Sequence, residues 1–250
     1  MLTFPATWWT PGSPLIIAHR GASRAAPENT LAAFRLAADL GADGVELDVR
    51  LSADGIPVVI HDADVRMTTA GTGLVRTMTL AQIKSLDAGV HFGPQFAGER
   101  IPTLEEVLAA LDDRLLINIE IKYQPHILQL VTAVAAVVQR AEHRKRIWFS
   151  SFRPYALHAI RRLLPQFPCG LLYCAADLGT PLFAPFTPHE AVHPHAPLVR
   201  PRSIARAHRQ GRRVVTWTVD EPAQARQLAA WGVDVLITNE PARLLAALRG

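Results

Sequence analysis

The sequence predicts an α/β protein that folds as a (β/α)8 TIM barrel with a small inserted subdomain. Strand-like and amphipathic helical segments alternate almost to the end of a 250-residue chain, and 49% of its residues are hydrophobic, enough for a large core. Several of the strand-like segments end in ionisable residues, as barrel strands do where they form a site. A doubly wound open sheet is the alternative fold.

The predicted strands are short apolar runs bounded by turn residues, and the predicted helices have apolar residues at helical spacing. Thr79 with Gln82, and Thr103 with Glu106, have the spacing of capping boxes at two helix starts. The strands are expected at 15–19, 44–51, 56–61, 115–121, 146–151, 169–174, 190–194, 213–218 and 234–238. The helices are expected near 30–40, 80–86, 104–112, 126–140, 154–163, 202–210, 222–231 and 241–248.

Nine predicted strands are one more than the barrel needs, and the third strand resolves the surplus. The segment before it is too short for a crossover helix, and its Asp54-Gly55 pair favours a two-residue hairpin turn. Strand 56–61 is therefore expected to run antiparallel to the second strand. With this turn, His61 is expected to lie opposite Asp48.

The connection after this hairpin is unusually long for a barrel. Residues 62–102 separate the hairpin from the helix that begins after Thr103, and they include several glycines and one short predicted helix. We expect this stretch to be a small inserted subdomain that covers the mouth of the barrel. The whole chain, 1–250, is expected to form a single domain around it.

The charge distribution argues against a nucleic-acid partner. The net charge is +4, but the basic residues form only short clusters without interleaved aromatic residues. Residues 1–14 contain no lysine or arginine and no long apolar run, so neither a signal peptide nor a membrane span is predicted. We therefore expect a cytoplasmic protein without stable membrane insertion; an oligomer is possible but has no signal in the sequence.

The candidate site combines two histidines, three carboxylates and two cations that stand at the ends of predicted strands. Side chains two residues apart on a strand point to the same face, so Glu46 and Asp48 point together, as do Glu120 and Lys122. The structural alternative is a set of ion pairs inside the barrel. The position at the carboxyl ends of the strands favours catalysis. The seven residues are His19, Arg20, Glu46, Asp48, His61, Glu120 and Lys122.

The charge balance of these residues favours a bound divalent cation. Three carboxylates that lie close together repel one another unless they are neutralised. Two cations leave a net charge of −1, and a divalent ion would change it to +1, which suits a phosphodiester monoanion. Ligands that are all oxygen atoms favour Mg²⁺, Ca²⁺ or Mn²⁺ over zinc.

The other predicted roles follow from the chemistry of the side chains. His19 and His61 titrate near neutrality, so one could take a proton from the attacking hydroxyl while the other protonates the leaving alkoxide. Arg20 offers a planar fork to phosphate oxygens, or it braces Glu28; Lys122 offers a point charge. Trp217 is either an apolar wall for the alcohol part of a substrate or core filler.

These residues belong to ordered motifs that resemble those of the glycerophosphodiester phosphodiesterases, from about residue 15 to 245. The motifs are His19-Arg20-Gly21, Pro27-Glu28-Asn29-Thr30, Glu46-x-Asp48, Asp54-Gly55 to His61-Asp62, Ile101-Pro102-Thr103-Leu104, Glu120-Ile121-Lys122, Trp217-Thr218-Val219 and Gly232-Val233-Asp234. One departure is Thr238-Asn239, where many members have Thr-Asp. We expect it to affect the bracing of a loop or contacts at the rim, and not the chemistry.

The resemblance implies a TIM barrel with an insert after His61 and a substrate such as glycerophosphocholine or glycerophosphoethanolamine, which yields glycerol 3-phosphate and an alcohol. It implies the following site residues: metal ligands Glu46, Asp48 and Glu120, catalytic histidines His19 and His61, and phosphate contacts Arg20 and Lys122. In lacking a predicted signal peptide, the sequence is similar to the cytoplasmic members of the family.

Two alternative functions are cleavage of intact lipids and non-catalytic ligand binding by the barrel. The head-group preference, the metal and a cyclic phosphate intermediate stay open.

Overall fold

The computed structural model of the protein describes residues 4–5, 8, 12–111, 115–141, 146–177 and 180–250. Eight parallel strands close into a barrel, because the first strand pairs with both the second and the last. The predicted TIM barrel is therefore confirmed. The strands are β1 (Leu15–His19), β2 (Gly44–Leu51), β3 (Pro57–Val59), β4 (Leu116–Ile121), β5 (Ile147–Ser151), β6 (Cys169–Tyr173), β7 (Ala191–Pro194), β8 (Arg213–Thr216) and β9 (Val235–Thr238).

The helices follow the predicted segments with small shifts at their ends. Both predicted capping boxes are present, with side-chain and backbone contacts between Thr79 and Gln82 and between Thr103 and Glu106. One helix of four residues was not predicted, because it is too short to show a helical period. The helices are α1 (Leu31–Asp39), α2 (Leu80–Lys84), α3 (Leu104–Ala110), α4 (Ile127–Arg140), α5 (Pro154–Leu163), α6 (Thr180–Phe183), α7 (Pro201–Arg209), α8 (Pro222–Ala230) and α9 (Pro241–Arg249).

The antiparallel hairpin of β2 and β3 has a three-residue loop, so the predicted two-residue turn was wrong. Val49 pairs with Val59, and the amide of Ser52 donates to the carbonyl of Ile56 over 3.0 Å. Gly55 ends the loop with φ at +82°, a left-handed conformation that glycine adopts without steric strain. This loop is one residue longer than the turn that Asp54-Gly55 suggested.

The longer loop shifts the register of the hairpin by one residue. The amide of Ile60 donates to the carbonyl of Asp48 over 2.9 Å, so Ile60 lies opposite Asp48. The prediction that His61 lies opposite Asp48 was therefore wrong. His61 lies beyond the end of β3, and contacts outside the strand ladder determine its position.

Residues 62–102 contain α2 and three single turns of 3₁₀ helix, at 65–67, 75–77 and 94–96. Together with the end of the hairpin they enclose a small apolar cluster of their own. The division into a barrel and an inserted subdomain stays a prediction, which this separate cluster supports. Its buried members are Val58, Ile60, Val65, Val75, Ile83, Ala88 and Ile101.

The main core has two layers, one between the strands and the surrounding helices and one inside the barrel. Apolar side chains from β1, β4, β5, β7, β8 and β9 fill the inner layer, and Phe4 and Trp8 pack against Trp148 there. Polar and charged side chains take over toward the carboxyl ends of the strands. In the described part of the chain, no helix combines the length and apolarity needed to cross a membrane.

A buried histidine lies inside the barrel on β7. His193 is fully buried, and a Cβ at Gly170 on β6 would lie 2.1 Å from its Nε2, so the glycine leaves room for the ring. Neither ring nitrogen has a hydrogen-bond partner among the described residues. Burial lowers the pKa of His193 to about 3, which keeps the ring neutral in the folded protein.

We predict that this histidine makes the protein less stable in acid. Between pH 6.5 and about 3 the unfolded chain takes up a proton that the folded state refuses, so the free energy of unfolding falls as the pH falls. The slope from one such group reaches about 1.4 kcal/mol per pH unit. Urea unfolding of His193→Leu at several pH values should show a slope smaller by this amount. Replacement of the exposed His158 by leucine is the control. Equal slopes for wild type and His193→Leu would contradict the prediction.

Candidate active site

The three predicted metal ligands come together at the carboxyl end of the barrel. Glu46 and Asp48 lie on β2, and Asp48 pairs in register with Glu120 on the neighbouring strand β4. One carboxylate oxygen from each residue lies within 4.8 Å of the others, and all three side chains are buried. We call these residues the acidic triad. The period-2 alternation of the two strands places all three carboxylates on the inner face.

Two cations neutralise part of the triad. The Nζ atom of Lys122 lies 2.8 Å from Oε1 of Glu120 and 3.3 Å from Oδ1 of Asp48. The Nε atom of Arg20 lies 3.3 Å from Oδ2 of Asp48, and the amide of Arg20 donates to Oε2 of Glu46 over 3.1 Å. Asp48 thus lies between two positive charges, whereas Glu46, among the described residues, contacts only the backbone amide of Arg20 and the more distant His19.

The carboxylates of the triad differ in their acidity. Burial opposes the ionisation of Asp48, but Lys122 and Arg20 outweigh it and hold the pKa of Asp48 well below its usual range. Burial and the neighbouring Asp48 and Glu120 raise the pKa of Glu46 well above its usual value. Burial likewise raises the pKa of Glu120. An additional positive charge would favour the ionisation of all three together, and an all-oxygen donor set of this size fits a hard divalent cation.

Asn29 braces the triad, a role that sequence reasoning missed. Its side-chain amide donates to Oδ2 of Asp48 over 3.0 Å, and its Oδ1 accepts from the amide of Asp48 over 3.3 Å. The residue is buried and has φ at +57°, a conformation that asparagine tolerates better than most residues. The Pro27-Glu28-Asn29-Thr30 motif contained this residue, but nothing in the motif indicated its partner.

His19 ends β1, and a hydrogen-bond chain fixes its ring. Its Nδ1 lies 2.7 Å from Oδ1 of Asn239. The side-chain amide of Asn239 donates to Oδ2 of Asp220 over 2.7 Å, so its oxygen must accept, and Nδ1 of His19 carries the proton. Nε2 is then free of hydrogen and lies 3.9 Å from Oε2 of Glu46. Burial, followed by the charge of Arg20, lowers the pKa of His19 to about 4.

Asn239 is the position where the sequence departs from many family members. The residue contacts a predicted catalytic histidine and therefore not only a loop or the rim, and the expectation that the chemistry is unaffected stays a prediction. His19 and Asn239 are 220 positions apart in the chain, so the short motif around Asn239 held no signal for the contact. Only the closure of the barrel between β1 and β9 makes them neighbours.

His61 lies beyond the end of β3 and near Asp48. Its side chain is 31% exposed, and its Nδ1 lies 3.1 Å from Oδ1 of Asp62. Burial lowers the pKa of His61, and the nearby charge of Asp48 acts in the opposite direction. The structure therefore brings both histidines near the triad, as predicted, although His61 does not reach it through the strand register.

The arrangement of the other predicted residues is more constrained than the sequence suggested. Arg20 donates from Nη1 to both carboxylate oxygens of Glu28, over 3.0 and 2.9 Å, so it braces Glu28 while it also contacts the triad. Trp217 follows the end of β8 and does not belong to the strand, and its Nε1 donates to the carbonyl of His193 over 2.9 Å. Its ring packs edge-to-face on Phe152, with the ring centroids 5.6 Å apart.

This geometry defines a class of protein, the TIM barrels whose mouth combines a buried acidic triad with two adjacent cationic side chains. The profile of the "Glycerophosphoryl diester phosphodiesterase family" matches residues 19–243, and the chain belongs to this family. The predicted family and the predicted enzyme class, a phosphodiesterase, are confirmed. The roles of the individual residues stay predictions.

Relatives and solved structures agree with this assignment. The chain is 40% identical over 241 residues to a glycerophosphodiester phosphodiesterase of Caldanaerobacter subterraneus subsp. tengcongensis, a match that covers 94% of this chain and 98% of the relative. A phosphodiesterase of Oleispira antarctica, solved in complex with the product sn-glycerol-3-phosphate, is 32% identical with a TM-score of 0.89 and coverage of 94% and 96%. A glycerophosphodiester phosphodiesterase of Agrobacterium tumefaciens is 32% identical with a TM-score of 0.79 and coverage of 93% and 99%.

We predict that Asn239→Ala lowers kcat by about 10- to 100-fold, because the loss of an orienting hydrogen bond frees the tautomer and ring angle of His19. KM should change little, since Asn239 does not line the triad. Ser23→Ala is the matched control: Ser23 Oγ donates to the same Oδ1 over 3.0 Å without touching the histidine. Steady-state kinetics that show equal losses in both variants would contradict the prediction.

Proposed function

We propose that this protein hydrolyses glycerophosphodiesters, such as glycerophosphocholine or glycerophosphoethanolamine, to glycerol 3-phosphate and an alcohol, with a divalent metal ion and two histidines. The observation that carries this proposal is the buried acidic triad with Nε2 of His19 beside it. The product complex of the Oleispira antarctica phosphodiesterase, which is similar over most of its length, supports glycerol 3-phosphate as the product.

Glu46, Asp48 and Glu120 would hold the metal ion, which we propose to be Mg²⁺, Ca²⁺ or Mn²⁺. When bound, the ion would supply the positive charge that the crowded carboxylates lack and would stabilise negative charge on the phosphate. The raised pKa of Glu46, which burial and the neighbouring carboxylates cause, supports the need for such a charge. Asn29 would keep Asp48 in place.

The two histidines differ in a way that suggests which is the base. Asn239 holds the proton of His19 on Nδ1, so Nε2 presents a lone pair toward the triad. We assign His19 as the base that takes the proton of the attacking hydroxyl. His61 is more exposed and is hydrogen-bonded to Asp62, a carboxylate that stabilises the protonated ring, so we assign it as the acid for the leaving alkoxide.

Arg20 and Lys122 are proposed to bind the phosphate. Both cations contact Asp48, and Arg20 also contacts Glu28, so their charged groups are already fixed at the edge of the triad. Fixed donors need little rearrangement when they meet an anion, which favours binding and the stabilisation of developing charge. Trp217 is proposed as an apolar wall for the alcohol part, and its contacts with His193 and Phe152 would hold the indole ring.

We predict that removal of divalent metal with EDTA abolishes the release of glycerol 3-phosphate, because the triad cannot then balance its charge. Added Mg²⁺, Ca²⁺ or Mn²⁺ should restore it, and an enzyme-coupled assay of glycerol 3-phosphate checks both steps. Titration calorimetry of Glu120→Gln should show weaker binding of the same ion, independently of turnover. No release with any of the three metals would contradict the proposed function.

We predict that His19→Ala and His61→Ala each lower kcat by at least about 100-fold, within the range typical of a lost proton-transfer group. Assays should use glycerophosphocholine at saturating concentration. The exposed His158 serves as the control, and His158→Ala should leave kcat unchanged. Near-normal turnover in either test variant would exclude that histidine from the mechanism.

A further inference from the structure

Arg50 is a buried cation that connects two segments of the site. It lies on β2, two residues beyond Asp48, and only 9% of it is exposed. Its Nε donates to the carbonyl of His61 over 2.7 Å, and its Nη1 donates to the carbonyl of Tyr123 over 3.1 Å. Tyr123 directly follows Lys122, so one guanidinium joins the segments that carry His61 and Lys122.

The burial of Arg50 is costly for the fold. Among the residues that the structure describes, no carboxylate forms an ion pair with it. Burial lowers the pKa of Arg50, and the charges of Asp48, Asp62 and Glu120 offset this only in part. A neutral side chain of similar size would avoid the cost of a buried, unpaired charge. Packing alone therefore gives no reason for an arginine here.

The two carbonyl groups explain why an arginine is useful. β3 ends at Val59 and β4 ends at Ile121, so both carbonyls lie beyond the strand ladders. The last backbone bond of the hairpin runs from the amide of Ile60 to Asp48, and the His61 carbonyl accepts from Arg50. A planar guanidinium donates from two different nitrogens, here Nε and Nη1, held at a fixed separation, whereas a lysine donates from one freely rotating nitrogen.

We propose that Arg50 is a positioning residue for phosphodiester hydrolysis, because it fixes the backbone of His61 relative to Lys122. It acts through His61 and does not contact the reacting atoms. This inference rests on the proposed function and on the role assigned to His61 there. It also replaces the strand register as the reason that His61 stays beside the triad.

The first test compares kcat and KM of Arg50→Met and Arg50→Lys with wild type, using glycerophosphocholine and the metal that gives wild-type activity. We expect kcat of Arg50→Met to fall about 10- to 100-fold, while KM changes less than about threefold. Arg50→Lys keeps the charge but replaces two fixed nitrogen donors by one freely rotating ammonium, so its kcat should be intermediate. Arg200, whose Nη1 donates to the carbonyls of Pro197 and Val199, supplies Arg200→Met as the control with normal kcat.

The second test combines Arg50→Met with His61→Ala. If Arg50 acts through His61, the double variant should be less than about threefold slower than His61→Ala alone, whereas independent effects would multiply. Multiplicative losses, a normal kcat for Arg50→Met, or an effect on KM alone would each overturn the proposal.

Thermal unfolding shows whether each variant folds. If Arg50→Met does not fold, Arg50→Lys replaces it in both tests. An inactive wild type would refute the proposed function, whereas an active wild type with an equally active variant refutes only the role of Arg50.

Discussion

The site depends on the neutralisation of one buried carboxylate, that of Asp48. Lys122, which follows β4, Arg20, which follows β1, and Asn29, from the loop after β1, all contact it. Each of these contacts also fixes the segment that supplies it, so the charge of Asp48 holds three separate parts of the barrel mouth together. A buried carboxylate without these partners would protonate or destabilise the fold, and the same partners keep it ionised as a potential ligand.

The carboxylates of Asp48 and Glu46 differ in how far their surroundings neutralise them. Glu46 lies on the same strand and face, but in the described part of the chain its only close polar contact besides His19 is the amide of Arg20. Burial and like charges therefore raise its pKa, whereas the pKa of Asp48 is lowered. The triad thus combines a carboxylate that is satisfied within the protein with one that gains most from an added cation. That combination supports the proposal that an anion site and a cation site share one mouth.

The barrel and most of the site could be predicted from the sequence because both rest on short-range rules. The alternation of side chains along a strand placed Glu46 with Asp48 and Glu120 with Lys122, whatever the rest of the chain did. The hairpin register was missed because it depends on the hydrogen bond between Ser52 and Ile56 and on one loop residue. The contact of Asn239 with His19 was missed because only barrel closure creates it.

The pairing of β1 with β9 has a consequence for the order in which the protein is made. His19 emerges early from the ribosome, but the Asn239 that sets its proton is synthesised about 220 residues later. A nascent chain that already contains every proposed ligand and both proposed histidines still lacks the group that orients the first of them. The proposed orientation of His19 can therefore be completed only after the residue that follows the last strand has been made.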